Sequence, residues 1–182
     1  MATAVWRAES DRRIVFAHET ISGARHVRRA GSHVSRPALW RCPKCGHRFV
    51  TKNLWHSCVK VPLATHFRGR PVARKRTFDR WLRAARACGR VTAYAQKSRI
   101  VIMARVRFAG AIVHDSYVDA GLWLRRRADH PRLRRVEDFG RLGQVHHFRL
   151  VSPGDVDPAL EALMREAYRV GTQELTAKSL GA

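Results

Sequence analysis

The residues best equipped for chemistry crowd into one short stretch, CPKCGHRFVTKNLWHSC (42–58), which holds Cys42, Cys45 and Cys58 of the chain's four cysteines. The two-residue gap in Cys42-Pro-Lys-Cys45 lets both sulfurs reach one ion, and Gly46 serves the tight turn that follows. His56 and Cys58 offer two more donors. In an extended segment residues i and i+2 project to the same side, so one intervening residue is workable there. Cys42, Cys45, His56 and Cys58 would close a tetrahedron with no open position, the pattern of a structural Zn2+ and not of a catalytic one. His47 competes for the fourth place, but two residues after Cys45 it lies inside the turn and is poorly aimed. Free thiols or a disulfide are the other readings. The opening stretch MATAVWRAESDRRIVF lacks the apolar run of a secretory signal and one thiol is left over, which weighs against the disulfide. Metal binding would supply the folding energy of a module with so little core.

Cations and aromatics surround this cluster. Arg41, Lys44, Arg48 and Lys52 lie on the module, with Trp40 and Trp55 available to stack on bases. Arg68, Arg70, Arg74, Lys75 and Arg76 follow directly. Together they point to non-specific, salt-dependent binding of DNA or RNA. The competing reading is a solvated basic linker with the tryptophans packed against the metal site.

Other constellations are weaker. His146 and His147 on one strand face opposite ways, so at most one joins a given site, and Arg149 shares the face of His147. Asp115, Asp119, Glu137 and Asp138 fall in turns and a loop, and read as solvated turn residues. Cys88, beside Gly89 at a helix end, reads as a small core residue. The chain has no G-x-S-x-G elbow and no G-x-x-x-x-G-K-[ST] loop, and no G-x-G-x-x-G follows a strand. The sequence therefore points to a non-enzymatic protein.

The elements that must hold these residues follow from periodicity. A short hairpin is expected from His47–Val50 and Leu54–His56. Residues 61–76, punctuated by Pro and Gly, read as a basic linker. Thr77 suits a helix N-cap, with Phe78, Trp81, Leu82 and Ala85 on one face and Gly89 as the stop. Val91–Gln96, Ser98–Arg105, Arg107–His114, Tyr117–Arg126 and Gln144–Val151 read as five strands, with 127–142 a charged loop. Asp157-Pro158 opens a second helix ending at Gly171, with Leu160, Leu163, Met164 and Ala167 facing inward. The fold class expected is α+β: a five-stranded antiparallel sheet flanked by two helices over 77–172, preceded by a zinc hairpin over 37–60. Residues 1–36 read as a disordered basic tail, and 173–182 as a frayed end.

Thirty-six Lys and Arg stand against fourteen Asp and Glu, a formal net charge of +22 over 182 residues. Such a field attracts phosphate polyanions, while an Arg-over-Lys bias with abundant Ala is also the mark of GC-rich coding, and both readings stand. The excess belongs to the first 150 residues, because 151–182 hold three basic and five acidic residues. No apolar run approaches the ~18 residues of a membrane span.

The cysteine stretch, followed by FDRWLRAARACGRVTAYAQKSRIVI (78–102), RFAGAIV (107–113), PRLRR (131–135), HHFRL (146–150) and DVDPALEALMREAYRVG (155–171), resembles small bacterial proteins with the domain of unknown function 5655. The resemblance implies this architecture and a cytoplasmic bacterial setting, and no assigned reaction. It also implies a basic residue where His47 stands, which favours His56 as the ligand. With the charge, it adds Lys97 and Arg132 to His147 and Arg149 as an alternative anion pocket over the sheet, serving a small ligand or an enzymatic role.

Overall fold

In a computed structural model of the chain, residues 38–49, 52–53, 56, 58–59 and 61–174 are described. The tail expected over 1–36 falls outside them, as do Leu54, Trp55 and most of the expected C-terminal fraying. Two strands, β1 (Trp40–Arg41) and β2 (Arg48–Phe49), pair antiparallel around the Cys42–Cys45 turn. β2 pairs backward with β1; of the second strand expected over Leu54–His56 only His56 is described, and it is not assigned to a strand. A 3-10 turn (Leu63–Phe67) leads to helix α1 (Val72–Ala87). Then come β3 (Thr92–Ala95), β4 (Ile100–Met103), β5 (Arg107–Val113), β6 (Val118–Leu124), β7 (Leu133–Asp138), β8 (Gln144–Leu150) and helix α2 (Pro158–Gly171).

Helix α1 begins five residues before the Thr77 expected as its cap. Pro71, at φ −55°, is already set for a helical start, and Ala, Arg and Lys are good helix formers. Thr77 is buried in mid-helix, its hydroxyl donating to the Ala73 carbonyl at 2.9 Å. The expected basic linker therefore becomes a helix turn, and its Arg74 is buried against Ser116, to whose carbonyl it donates at 2.6 Å. At α2 the expectation holds: Asp157 accepts from the Leu160 amide at 2.8 Å, with proline at the first helical position.

The main sheet has six strands, in the order β3-β4-β5-β6-β8-β7, with every neighbour antiparallel. The strand missed from sequence is β7, LRRVED, whose charges mask any alternation. It is an edge strand, where charge on both faces is tolerated and blunts further pairing. Both helices cover one face. Ile100, Ile102, Ala111, Ala120, Leu122, Phe148 and Leu150 point into that core against Phe78, Trp81, Leu160 and Met164. The opposite face is open and carries Val101, Gly110, Asp119, Gly121, Trp123, Val145 and His147 by strand alternation.

Two register shifts decide what the open face presents. Between β4 and β5 the ladder runs Ile102↔Ala109 and then Met103↔Arg107, which leaves Phe108 without a partner. Phe108 and Ala109 are both buried in the core, so Arg107 is turned to the open face. A second shift between Leu133 and Arg135 sets Arg135 opposite His147.

His146, the core-facing member of the pair, is fully buried, and its Nε2 accepts the Ala128 amide at 3.0 Å. Burial pushes its pKa down, and the Arg126 and Arg127 charges push the same way. A histidine held neutral by folding contributes stability above its ordinary pKa near ~6.5, lost as pH falls below it. Denaturant midpoints of the wild type should fall from pH 7 to pH 5. His146→Leu should cost about 1–3 kcal/mol at pH 7, from the orphaned amide, and flatten that slope. An equal slope in both proteins would contradict a neutral His146.

Candidate functional site

The four donors of the cysteine stretch meet. Cys42 and Cys58 sulfurs lie 3.8 Å apart, and His56 Nε2 is 3.2 Å from the Cys45 sulfur and 3.4 Å from that of Cys58. All four ligand atoms fall within 4.8 Å of one another. A tetrahedron with Zn–S of about 2.3 Å has sulfur–sulfur edges near ~3.8 Å, whereas a disulfide needs about 2.05 Å. The donor set thus fits a metal such as zinc. The turn that presents it is closed by the Gly46 amide on the Cys42 carbonyl at 2.9 Å, with Gly46 at φ 76°. Without a cation the thiols disagree. Desolvation raises Cys42, but the Cys45 and Lys44 amides outweigh it and bring Cys42 down to about 6. Desolvation first, then the Cys42 and Cys45 sulfurs, push Cys58 up to about 11. A bound cation favours the thiolate form of the sulfurs that ligate it.

His47 does not join this cluster. Its ring lies 4.1 Å from that of Tyr94, on the open side of β3, and so seats the hairpin on the sheet. His56 packs on Phe49 at 4.3 Å, and Trp40 lies about 6 Å from both rings. Trp40 is therefore part of the metal site's packing, while Trp55 lies outside the described residues.

The expected nucleic-acid set is divided. Arg41, Lys44, Arg48, Lys52, Arg68 and Arg76 are exposed. Arg70 pairs with Asp115, Lys75 with Asp79 at 2.7 Å, and Arg74 is buried as described. The anion pocket expected from Lys97, Arg132, His147 and Arg149 is not gathered at one point. Arg132 is drawn to Asp155 at 2.7 Å, and Arg149 lies over the Tyr117 ring at 4.3 Å.

What the open face does gather is a groove of about 1010 Å³ between the hairpin and the sheet. Arg48, Phe49 and His56 form one wall; Tyr94, Lys97, Arg99, Arg107, Trp123 and Arg125 line the rest. The lining holds five cations and no carboxylate, and none of the five has an ion-pair partner among the described residues. Arg107 stays accessible, yet the crowded walls withdraw water from its guanidinium. That desolvation, then the Arg99 charge, lowers its pKa. Arg99, Arg107, Trp123 and Arg125 were not singled out by sequence. Trp123 was available from the alternation of β6, whereas Arg99 and Arg125 flank strand ends and the bulge at Phe108 obscures the side of Arg107.

A smaller cavity of about 150 Å³ opens beside the groove and shares Arg99, Val101, Arg107 and Trp123 with it. Its rim holds Asp119, Glu137, Arg135 and His147. His147 Nδ1 is 3.0 Å from Asp119 and its Nε2 3.4 Å from Glu137, which pairs with Arg135 at 2.5 Å. Two of the acids read from sequence as solvated turn residues thus meet on the sheet, because β7 exists. Asp115 stays in a turn, and Asp138 ends β7, accepting from the Gly140 amide at 2.7 Å.

A family model described as a domain of unknown function (DUF5655) matches residues 63–171, which span the 3-10 turn through α2 and begin after the cysteine cluster. No curated protein and no solved structure matches the chain. No helix among the described residues is long and apolar enough to cross a membrane.

Elemental analysis of protein purified without chelator should find one equivalent of zinc. Cys42→Ser and Cys58→Ser should lose it, and His47→Ala should keep it. Metal lost by His47→Ala but retained by His56→Ala would assign the fourth donor to His47.

Proposed function

The chain belongs to the family of the domain of unknown function (DUF5655), and we propose that it is a zinc-stabilised protein that binds single-stranded nucleic acid along its open sheet face. The observation that carries this reading is the lining of the larger groove: five cations, the aromatic rings of Phe49, Tyr94 and Trp123, and no carboxylate. Cations track a phosphate backbone, and ring faces stack on bases of any sequence, which a duplex would keep hidden.

Zinc, held by Cys42, Cys45, His56 and Cys58, fixes the chain and leaves no coordination position for a substrate. The residues of this chain do the rest. His56 backs Phe49, and Phe49 with Arg48 forms the groove wall. His47 on Tyr94 keeps that wall standing on the sheet. The Phe108 bulge turns Arg107 to the groove floor, where its guanidinium lies 5.7 Å from the Trp123 ring centroid. Arg107 and Arg99 crowd like charge, which an arriving phosphate relieves.

Each phosphate neutralised on a single strand contributes about −0.7 to the slope of log K against log salt. Five contacts would weaken binding by roughly a hundredfold between 50 and 200 mM salt. Fluorescence anisotropy with a labelled mixed-sequence 12-mer should show that dependence. Arg99→Glu and Arg48→Glu should each lose at least about tenfold, while Arg76→Glu on α1 loses little. Absence of binding at 50 mM salt, or equal losses from Arg76 and Arg99, would contradict the groove.

A further inference from the structure

The glycine pair at the floor of the smaller cavity is the feature that packing does not explain. Gly110 and Gly121 stand directly opposite each other in the β5–β6 ladder, on the open face. Gly110 is required by the backbone, since a Cβ there would lie 2.8 Å from the Ile100 carbonyl oxygen. Gly121 is not: a Cβ would meet only Val145, at an ordinary 3.8 Å. Glycine weakens a strand interior, so an unforced glycine in a central strand marks a place where something else must come close to the backbone.

The surroundings define what that is. The bare glycine floor is flat and flanked by Val101, Ile112 and Val145, and the stacked rings of Trp123 and Phe139 stand at its side, 5.2 Å apart. A volume of about 150 Å³ suits one small ring system and not a peptide. The rim is polar, with the Asp119 and Glu137 carboxylates as acceptors. His147 lies between them, its Nδ1 3.0 Å from Asp119 and its Nε2 3.4 Å from Glu137, the latter without hydrogen-bond geometry. Carboxylates receive only from donors, and their lone pairs left over by His147 and Arg135 favour N–H groups on the ring edge facing them. Arg99 and Arg107 stand where the cavity opens to the cationic groove, so the same ligand is anionic at its other end.

We propose that this cavity is a nucleobase subsite: it takes one unstacked base bearing an exocyclic amino group, flat on the Gly110–Gly121 floor, with its phosphate between Arg99 and Arg107. The proposal rests on the groove reading and adds to it a preference for bases with an exocyclic amino group, adenine, cytosine or guanine, over uracil, which has none. Base stacking and edge recognition of this kind are general ways to read single strands.

The test uses the full chain with AMP, CMP, UMP and ribose 5-phosphate as probes, alongside the 12-mer at 50 mM salt. AMP or CMP should bind at least about tenfold tighter than ribose 5-phosphate, with UMP close to the sugar phosphate. Gly121→Leu should erase that difference while the 12-mer keeps its salt dependence. Gly121→Ala adds a methyl group at ordinary contact distance from Val145, so it should melt no lower than wild type and still weaken AMP and CMP severalfold. Asp119→Asn should bring AMP or CMP close to UMP. The proposal is overturned if AMP and CMP bind no tighter than ribose 5-phosphate, or if Gly121→Ala binds them as wild type does, while the 12-mer still binds. Failure of the 12-mer itself to bind would instead remove the groove reading on which the subsite depends.

Discussion

Thirty-six cations and fourteen carboxylates cannot be paired off, so most guanidiniums of this chain must reach water or an anion the chain does not supply. The carboxylates are spent where they hold elements together. Asp115 takes Arg70, Glu161 takes Arg80 across the two helices, Asp155 takes Arg132, and Glu166 takes Arg126. These pairs lie on the helical side or at the ends of strands. The open sheet face keeps its own acids, Asp119 and Glu137, on His147 and Arg135. The groove beside them is left with Arg48, Lys97, Arg99, Arg107 and Arg125 unopposed. Desolvation first, and then the like charge of Arg99, hold the pKa of Arg107 down. A fold that tolerates this at one surface is disposed to receive a negative ligand there.

The cysteine cluster reaches that surface through packing contacts. Its ligand His56 packs on Phe49, and Phe49 and Arg48 belong to a two-residue strand that could not hold position by its own pairing. The second anchor, His47 on Tyr94, ties the hairpin to an edge strand of the main sheet. Two histidines nine residues apart therefore divide the labour: His56 joins the cysteine cluster, and His47 packs the module on the sheet.

Much of this was legible in the sequence. The spacing of Cys42, Cys45, His56 and Cys58 selects the cluster the structure brings together, because ligand geometry is local. Both helices and five of six strands follow from apolar period, since their core faces are strongly patterned. Strand β7 escaped because an edge strand needs no apolar alternation, and Arg134, Arg135, Glu137 and Asp138 carry none. With β7 unread, Glu137 was assigned to a loop and its meeting with Asp119 and His147 was invisible. The cations beside the cysteines drew attention from sequence, yet three of them, Arg70, Arg74 and Lys75, are committed to the fold. The groove's own cations, Arg99 and Arg107, look unremarkable on a line of text. Only a bulge, which depends on long-range register, turns Arg107 to the open side.

We propose the open face, between hairpin and sheet, as the surface that meets nucleic acid. Photocrosslinking with a single-stranded oligonucleotide carrying 4-thiouracil, followed by peptide mapping, addresses it directly. Adducts on Phe49, Tyr94 or Trp123, suppressed by added salt, are the expected result. Adducts confined to the outer faces of α1 and α2, or to residues 1–37, would contradict it.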